Sequence, residues 1–421
     1  LLKKIVTIAT GTEIMLGQTL DRDFNHMASK LAQFGHPIHR HYVVGDDFEE
    51  LQKVFIEALD RSDILILSGG LGPTTDDLTR DVVSDVLRRP LSLNAYVLKG
   101  LVKKFEMRKL PFPESAKQQA LVLEGAQVIP NKYGTAPGMY VEQDDKKIFL
   151  LPGPPHELIP MFDGYILPRI KEALDFSETF KFLTLRTFGI RESSVQELMN
   201  QAFKNYSDFL KGLGYCSAPA GVDVRIAAKQ KDWEKILPFV NKVKEILKPW
   251  TYAHDDETLE EIVARLLISK GETLAVAESC TGGLFSERLT RVPGISKVFK
   301  LGIVTYSNES KINLLGVSAE DLKHEGAVSG IVASQMAQGI LRKGASSIGL
   351  SITGIAGPSG GTVEKPVGLV WIGIHSGQGI KTLSHHFIGT REIIQFKASQ
   401  AALDMLRRVL TGDRIDPEEV V

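Results

Sequence analysis

Cysteine is nearly missing from this sequence: Cys216 and Cys280 are the two in 421 residues. They build no disulfide framework, which excludes the stapled folds of small secreted proteins and fits a reducing, cytoplasmic compartment. Long apolar runs are missing as well. None approaches the ~20 residues a membrane helix needs. The opening Leu1–Gly11 is too short an apolar run for a signal peptide and lacks a cleavage pattern. Charge of one sign is missing too. Lys+Arg is 50 and Asp+Glu is 51, so no bulk field exists to hold nucleic acid or an anionic membrane. There is no internal repeat and no low-complexity tract. What is present, 43% hydrophobic and 24% charged residues, is the make-up of a globular protein. The length predicts two or three domains.

Residues 1–170 alternate strand and helix signals. Lys4–Ala9 is β-branched, and Phe24–Phe34 has helical apolar spacing stopped by Gly35. His39–Val44 reads as a strand and Phe48–Leu59 as a helix. Asp63–Ser68 is a continuous apolar strand of the kind buried in a parallel sheet. A helix from about Asp77 to Leu87 follows, and Gly138–Val141 with Lys147–Leu151 reads as a late hairpin. Residues 171–250 form a small α+β module. It has strands at Lys181–Thr187 and Val222–Ala228. A helix around Ser193–Phe203 carries a capping box at Ser193-Ser194-Val195-Gln196. A second helix, Leu237–Leu247, is started or kinked by Pro238. Small modules of this kind often bind RNA, but this one has no Gly-x-x-Gly clamp and no aromatic stacking surface. It reads as a spacer or dimerisation element. Residues 251–421 form a second α/β unit. It runs from a helix starting at Asp255-Asp256 to a last helix, 392–410. The fold class expected is α/β: two separate α/β sandwich domains joined by a small α+β middle module.

The strongest chemical signal is Leu274-Ala275-Val276-Ala277-Glu278-Ser279-Cys280-Thr281-Gly282-Gly283-Leu284. A buried strand ends on a hydroxyl, a thiol and a second hydroxyl. Two glycines then turn the chain into a helix whose free N–H groups face the turn. Such a turn holds a phosphate, or it exposes a nucleophile and offers N–H groups to an oxyanion. Cys280 is a serious rival to Ser279, because a thiol at a helix N-terminus has a lowered pKa. In Val304-Thr305-Tyr306-Ser307-Asn308-Glu309-Ser310-Lys311 a strand ends at Tyr306, Ser307 can cap a helix, and Lys311 falls on its first turn. The dipole disfavours the charged amine there, so Lys311 is a usable base for a serine. Thr353-Gly354-Ile355-Ala356-Gly357-Pro358 is a third strand end with glycines that permit close approach to a ligand. Arg391, opening the last helix, is placed to pair an anion. Each feature alone has a plain structural reading as a cap, a solvated lysine or a loop. Three together point to a small-molecule site beyond the strands' carboxyl ends. Phosphate binding and Ser–Lys hydrolysis both remain open on these residues.

In the N-terminal half, Leu67-Ser68-Gly69-Gly70-Leu71-Gly72-Pro73-Thr74-Thr75-Asp76-Asp77 follows the apolar strand and opens a helix. Its glycines, with Ser68 and Thr74, suit a phosphate-wrapping loop. Asp76 or Asp77 is either the helix N-cap or a ligand to a cation between carboxylate and phosphate. Gly45-Asp46-Asp47 and Gly11-Thr12-Glu13 end two other strands. Together they suggest a divalent-cation site with pyrophosphate chemistry.

The C-terminal motifs closely resemble the C-terminal domain of the CinA (competence/damage-inducible) family over about residues 255–412. The N-terminal half resembles the MoaB/MogA-type molybdopterin-binding domain, and specifically the matching half of CinA. Gly11-Thr12-Glu13-Ile14, Gly134-Thr135-Ala136-Pro137-Gly138 and Pro152-Gly153-Pro154-Pro155 carry that likeness. The resemblance implies a nicotinamide mononucleotide amidohydrolase without a cofactor. Ser279 would be the nucleophile, Lys311 the base, and Tyr306 and Asn308 would line the site. Thr281, Gly282, Gly283, Thr353, Gly354, Gly357 and Arg391 would complete substrate binding. Thr390 stands where the family has an acidic residue. The other half implies an ADP-ribose pyrophosphatase that uses Mg or a transition metal. Gly69, Gly70 and Gly72 would bind phosphate, and Asp46 and Asp77, with Asp76, the metal. The expected partners are these nucleotides and a second copy in a homodimer, not a membrane or nucleic acid. The rival reading is a non-catalytic pterin-nucleotide carrier or a competence-related partner.

Overall fold

The apolar run at the start of the chain forms strand β1 (Ile5–Thr10), followed by β2 (Arg40–Val44) and β3 (Ile64–Ser68). A short ribbon, β4 (Leu91–Leu93) with β5 (Leu121–Leu123), precedes β6 (Gln127–Ile129), β7 (Gly138–Gln143) and β8 (Lys146–Leu151). The sheet order is β2-β1-β3-β8-β7-β6. β2, β1, β3 and β8 run parallel, and β7 pairs antiparallel with both β8 and β6. β1 and β3 are buried along their whole length. Val6, Ile8, Leu65 and Leu67 enter the core on one face, and Ile5, Ile64 and Ile66 enter that on the other. This alternation is the period of two of a strand covered on both faces, which is why these runs are almost wholly apolar; the one polar residue inside them, Thr7, pairs its hydroxyl with His41 Nδ1 at 2.8 Å. The computed structural model describes residues 3–173 and 180–415. They divide into two compact units, one reaching Lys181 and including 229–232, the other formed by 182–228 and the chain from 233 onward.

The second unit holds two sheets. β9 (Phe180–Thr187), β10 (Leu213–Ala218), β11 (Gly221–Lys229) and β12 (Thr251–His254) form one, in the order β10-β11-β9-β12. β13 (Leu274–Glu278), β14 (Phe299–Val304), β15 (Ile348–Gly354), β16 (Leu369–Ser376) and β17 (Gly379–His386) form the other, in the order β14-β13-β15-β16-β17. β14, β13 and β15 are parallel, so their carboxyl ends share one edge. β13 again feeds two cores, Leu274 and Val276 on one face, Ala275 and Ala277 on the other.

Several local expectations are corrected. The helix at Ser193 begins one residue earlier, at Glu192, with Arg191 as an N-cap whose side chain makes no capping bond. Ser193 is therefore already helical and forms no capping box, since an N-cap must be extended. Pro238 does not start its helix but lies inside it, Trp233–Leu247. The helix expected at Asp255 starts at Leu259, where Thr258 and Glu261 do form a capping box. Asp255 is held in the preceding turn, its carboxylate accepting from the Thr184 amide.

Candidate active site

β13 ends on Glu278, which is fully buried. Its carboxylate accepts from the amides of Gly283, Phe285 and Ser286 and from the Ser286 hydroxyl, at 2.7–3.1 Å. The positive end of the helix Leu284–Thr290 is thus occupied by a carboxylate from within the chain. The expectation of free N–H groups there is overturned, and this helix end is no phosphate site. Glu278 pins the turn instead. Ser279 N donates to Ile352 O at 2.9 Å, and Gln395 Nε2 donates to Cys280 O at 2.7 Å. Gly282 and Gly283 take φ of 62° and 103°, a region costly for any other residue. Within this clamped turn the Thr281 amide has no partner among the described residues, and the Cys280 amide faces only its own thiol. They are the two amides of the turn that no other residue takes. The buried Thr281 hydroxyl also lacks a partner there.

Lys311 comes from the helix Asn308–Leu315, which Ser307 caps by accepting from Ser310 N. The side chain is 1% exposed. Nζ lies 3.1 Å from Ser279 Oγ, 2.8 Å from Thr305 O and 3.4 Å from Tyr306 O. β14 stops at Val304 rather than Tyr306 because these two carbonyls turn to the amine, while Thr305 N donates to Glu278 O at 2.7 Å. Burial holds the amine's pKa below the ordinary lysine value. A neutral amine has two donors and one lone pair. Nζ donates to both carbonyls and toward Ser279 Oγ; with one proton lost, the carbonyls would keep the donors and the lone pair would face the Ser279 hydroxyl. Cys280 is opposite in character: buried in the apolar core, its thiol is pushed up to about 12. The lowered pKa that made it a rival nucleophile does not exist, because desolvation outweighs the helix end.

Tyr306 is 62% exposed, and its hydroxyl accepts from Arg391, whose other terminal nitrogen donates to Gly357 O. Arg391 therefore joins the second and third loops, and Asn308, two residues after Tyr306, is exposed. Thr353 is buried and its hydroxyl is spent on Ala327 O. Gly354 and Gly357 are packed against β16 and Val367, where a Cβ would meet Val370 and Val367 atoms below 3 Å. The three loops read from the sequence thus meet. Glu278, Thr305 and Gln395 were missed; a carboxylate closing an apolar strand, Leu274–Glu278, was the visible signal for the first.

In the N-terminal unit, Ser68, Gly69, Gly70 and Gly72 line a cavity of about 420 Å³ with Gly11, Asp46, Asp76, Asp77 and the Pro152–Pro155 loop. Gly69 and Gly70 have positive φ, and a Cβ on Gly70 would lie 2.2 Å from Thr79 Oγ1. Neither Asp76 nor Asp77 caps the helix, which starts at Thr79 after Leu78. Asp77 folds the loop onto itself, accepting from the amides of Gly72 and Thr74 and from the Thr74 hydroxyl. Asp46 likewise accepts from Thr12 N at 2.9 Å. Arg80, missed in the sequence, is buried and donates to the carbonyls of Leu71 and Gly72. Among the described residues no group of three or more His, Cys, Asp or Glu side chains converges on a cation position. A cation cage made by the protein alone does not fit these residues.

Residues 256–410 match the family described as the CinA C-terminal domain, 183–253 the damage-inducible protein CinA KH domain, and 6–172 the probable molybdopterin binding domain. The KH description falls on the module read as a spacer, which lacks the Gly-x-x-Gly clamp by which KH domains grip nucleic acid. A CinA-like protein of Dictyoglomus turgidum is 41% identical over 408 residues, 96% of this chain and 98% of its own. A competence-damage inducible protein of Caldicellulosiruptor saccharolyticus is 42% identical over 412 residues, 96% of this chain and 98% of its own. The solved structure of a competence/damage inducible protein from Agrobacterium tumefaciens is 40% identical, covering 37% of this chain and 97% of its own, with a TM-score of 0.34. Two relatives matched end to end at this identity leave one conclusion: the chain belongs to the CinA family.

Proposed function

We propose that the C-terminal site is a Ser–Lys amidohydrolase converting nicotinamide mononucleotide and water to nicotinate mononucleotide and ammonia. The observation that carries the reaction class is the buried 3.1 Å contact of Lys311 Nζ with Ser279 Oγ. The substrate rests on the resemblance to CinA. Ser279 Oγ attacks the carboxamide carbon as Lys311 takes its proton, and the amides of Cys280 and Thr281 receive the oxyanion. Lys311 then passes the proton to the departing nitrogen, which leaves as ammonia. Water, deprotonated in turn by Lys311, releases the acid from Ser279. Arg391 and Tyr306, at the rim, are the groups offered to the nucleotide's phosphate. For the N-terminal cavity we propose ADP-ribose pyrophosphatase activity, with the diphosphate on the Gly69–Gly72 loop. A divalent cation there would draw ligands chiefly from the diphosphate, the usual mode of Mg²⁺, and no step is assigned to it. A non-catalytic pterin-nucleotide carrier accounts for the cavity alone and leaves the buried Ser279–Lys311 pair without a role.

The test is ammonia release from nicotinamide mononucleotide with no added metal, run beside ADP-ribose cleavage. Asp77→Asn sets an amide N–H₂ against the donors of Gly72 and Thr74. It should abolish ADP-ribose cleavage and leave ammonia release within about twofold. Loss of both in a folded variant would refute independent sites. Glu278→Gln places a donor against Ser286 and loosens the turn. Turnover per folded molecule should fall roughly 10- to 100-fold, with the Michaelis constant nearly fixed, because the oxyanion exists only in the transition state. An unchanged kcat would show that the turn holds without the carboxylate.

A further inference from the structure

The wall of the N-terminal cavity contains a carboxylate that the diphosphate reading leaves idle. Asp23, in the first turn of the helix Arg22–Gln33, lines the cavity and is 5% exposed. Its Oδ1 is buried without a hydrogen-bond partner among the described residues. Its neighbour Asp21 is differently placed: one oxygen caps the helix by accepting from Phe24 N at 2.8 Å, and the other, buried without a hydrogen bond, has His41 Nε2 3.1 Å away as its charge partner, a partner Asp23 does not have among the described residues. Burial pushes Asp21 up, but His41 and the Phe24 amide outweigh it and hold that carboxyl below its ordinary value. Burial, with the Asp21 charge beside it, pushes Asp23 up to about 7. A carboxylate kept dry and unpaired is costly, and folds retain one where a ligand completes it.

The chemistry narrows that ligand. An ionised carboxylate only accepts hydrogen bonds, so its partner must bring donors. A phosphate brings none and is repelled, which leaves phosphate to the glycine loop of the same cavity. The groups that carry donors on a molecule with a diphosphate are sugar hydroxyls, and a vicinal diol matches the two oxygens of one carboxylate, as in the acidic ribose contact of dinucleotide-binding folds. We propose that Asp23 receives the hydroxyls of a sugar joined to the diphosphate, so that this cavity selects a nucleoside-diphosphate sugar over a bare diphosphate. The inference rests on the diphosphate reading of the cavity.

Calorimetric titration of the full chain at pH 8 with Mg²⁺ separates the two, the probes being inorganic pyrophosphate and ADP-ribose made uncleavable by a methylene group in place of the bridging diphosphate oxygen. Wild type should bind both. Asp23→Asn and Asp23→Ala should weaken ADP-ribose roughly 10- to 100-fold, the loss of hydrogen bonds to a charged acceptor, and leave pyrophosphate within about twofold. The ligand-free Asp23→Asn protein should also melt higher than wild type, since the unpaired charge is gone. Equal weakening of both probes, or of neither, overturns the role of Asp23. Wild type that takes pyrophosphate but not ADP-ribose keeps the diphosphate reading and overturns the sugar. Wild type that takes neither overturns the diphosphate reading and this inference with it.

Discussion

Ser279→Ala should lower ammonia release by on the order of 10⁴-fold or more, while Cys280→Ala should stay within about tenfold of wild type. The two side chains are adjacent, so only their surroundings distinguish them. Ser279 Oγ meets the buried Lys311 amine at 3.1 Å, whereas the Cys280 thiol is packed among apolar side chains and burial pushes it up to about 12. At neutral pH that thiol has almost no thiolate. Cys280→Ala removes one small buried group, so its cost should fall on stability, about 1 kcal/mol, rather than on turnover. Rates of ammonia release for the two purified variants, with folding checked by circular dichroism, settle the matter. An inactive, folded Cys280→Ala beside an active Ser279→Ala would reverse the assignment.

Lys311→Met should reduce kcat about 10³-fold and leave the Michaelis constant within about tenfold, since a base acts in the transition state. Lys311→Arg should be as damaging, because a guanidinium stays charged and cannot accept a proton. A phosphate-holding lysine would give the opposite pattern: a raised Michaelis constant, spared turnover, and a nearly silent arginine variant. The geometry favours the base, for the amine is buried against Ser279 and two carbonyls. The pH dependence follows in sign. The neutral amine is the active form, so kcat should rise with pH through a pKa below 10.5 and then level off. Lys311→Met should lose that acid limb. Stability carries the matching signature. Because burial lowers the folded-state pKa, the cost of the ammonium is fully present below that pKa. It declines as pH rises from there to 10.5, the ordinary value, and is gone above it. Lys311→Met should therefore melt higher than wild type at pH 7, by a margin that shrinks toward pH 10.

The mutants of greatest effect fall at positions visible in the sequence, yet the arguments for them are tertiary. Strands β1, β3 and β13 were legible because a strand buried on both faces is apolar nearly throughout, and the break in that run marks where the chain reaches the sheet's edge. The glycines after Ser68 and after Thr281 announced turns for the same local reason. Helix starts were less legible at Ser193, Asp255 and Asp77. A polar side chain near a helix end has several amides and carbonyls within reach, and the sequence does not say which it takes: Asp77 chose Gly72 and Thr74, and Asp255 chose Thr184.

By itself the sequence determined the α/β class, the strand-end loops and the set of reactive residues within them, because periodicity and turn chemistry act over a few neighbouring positions. Tertiary structure decided which of those residues meet and which are buried apart. Ser279 and Lys311 are separated by 32 positions, and the parallel pairing of β13 with β14 sets them at one edge. The same packing filled the helix end with Glu278 and buried the Cys280 thiol, reversing two expectations drawn from the helix end alone. Desolvation and the competition for hydrogen-bond partners depend on everything that surrounds a group, and the chain specifies those surroundings only when it is folded.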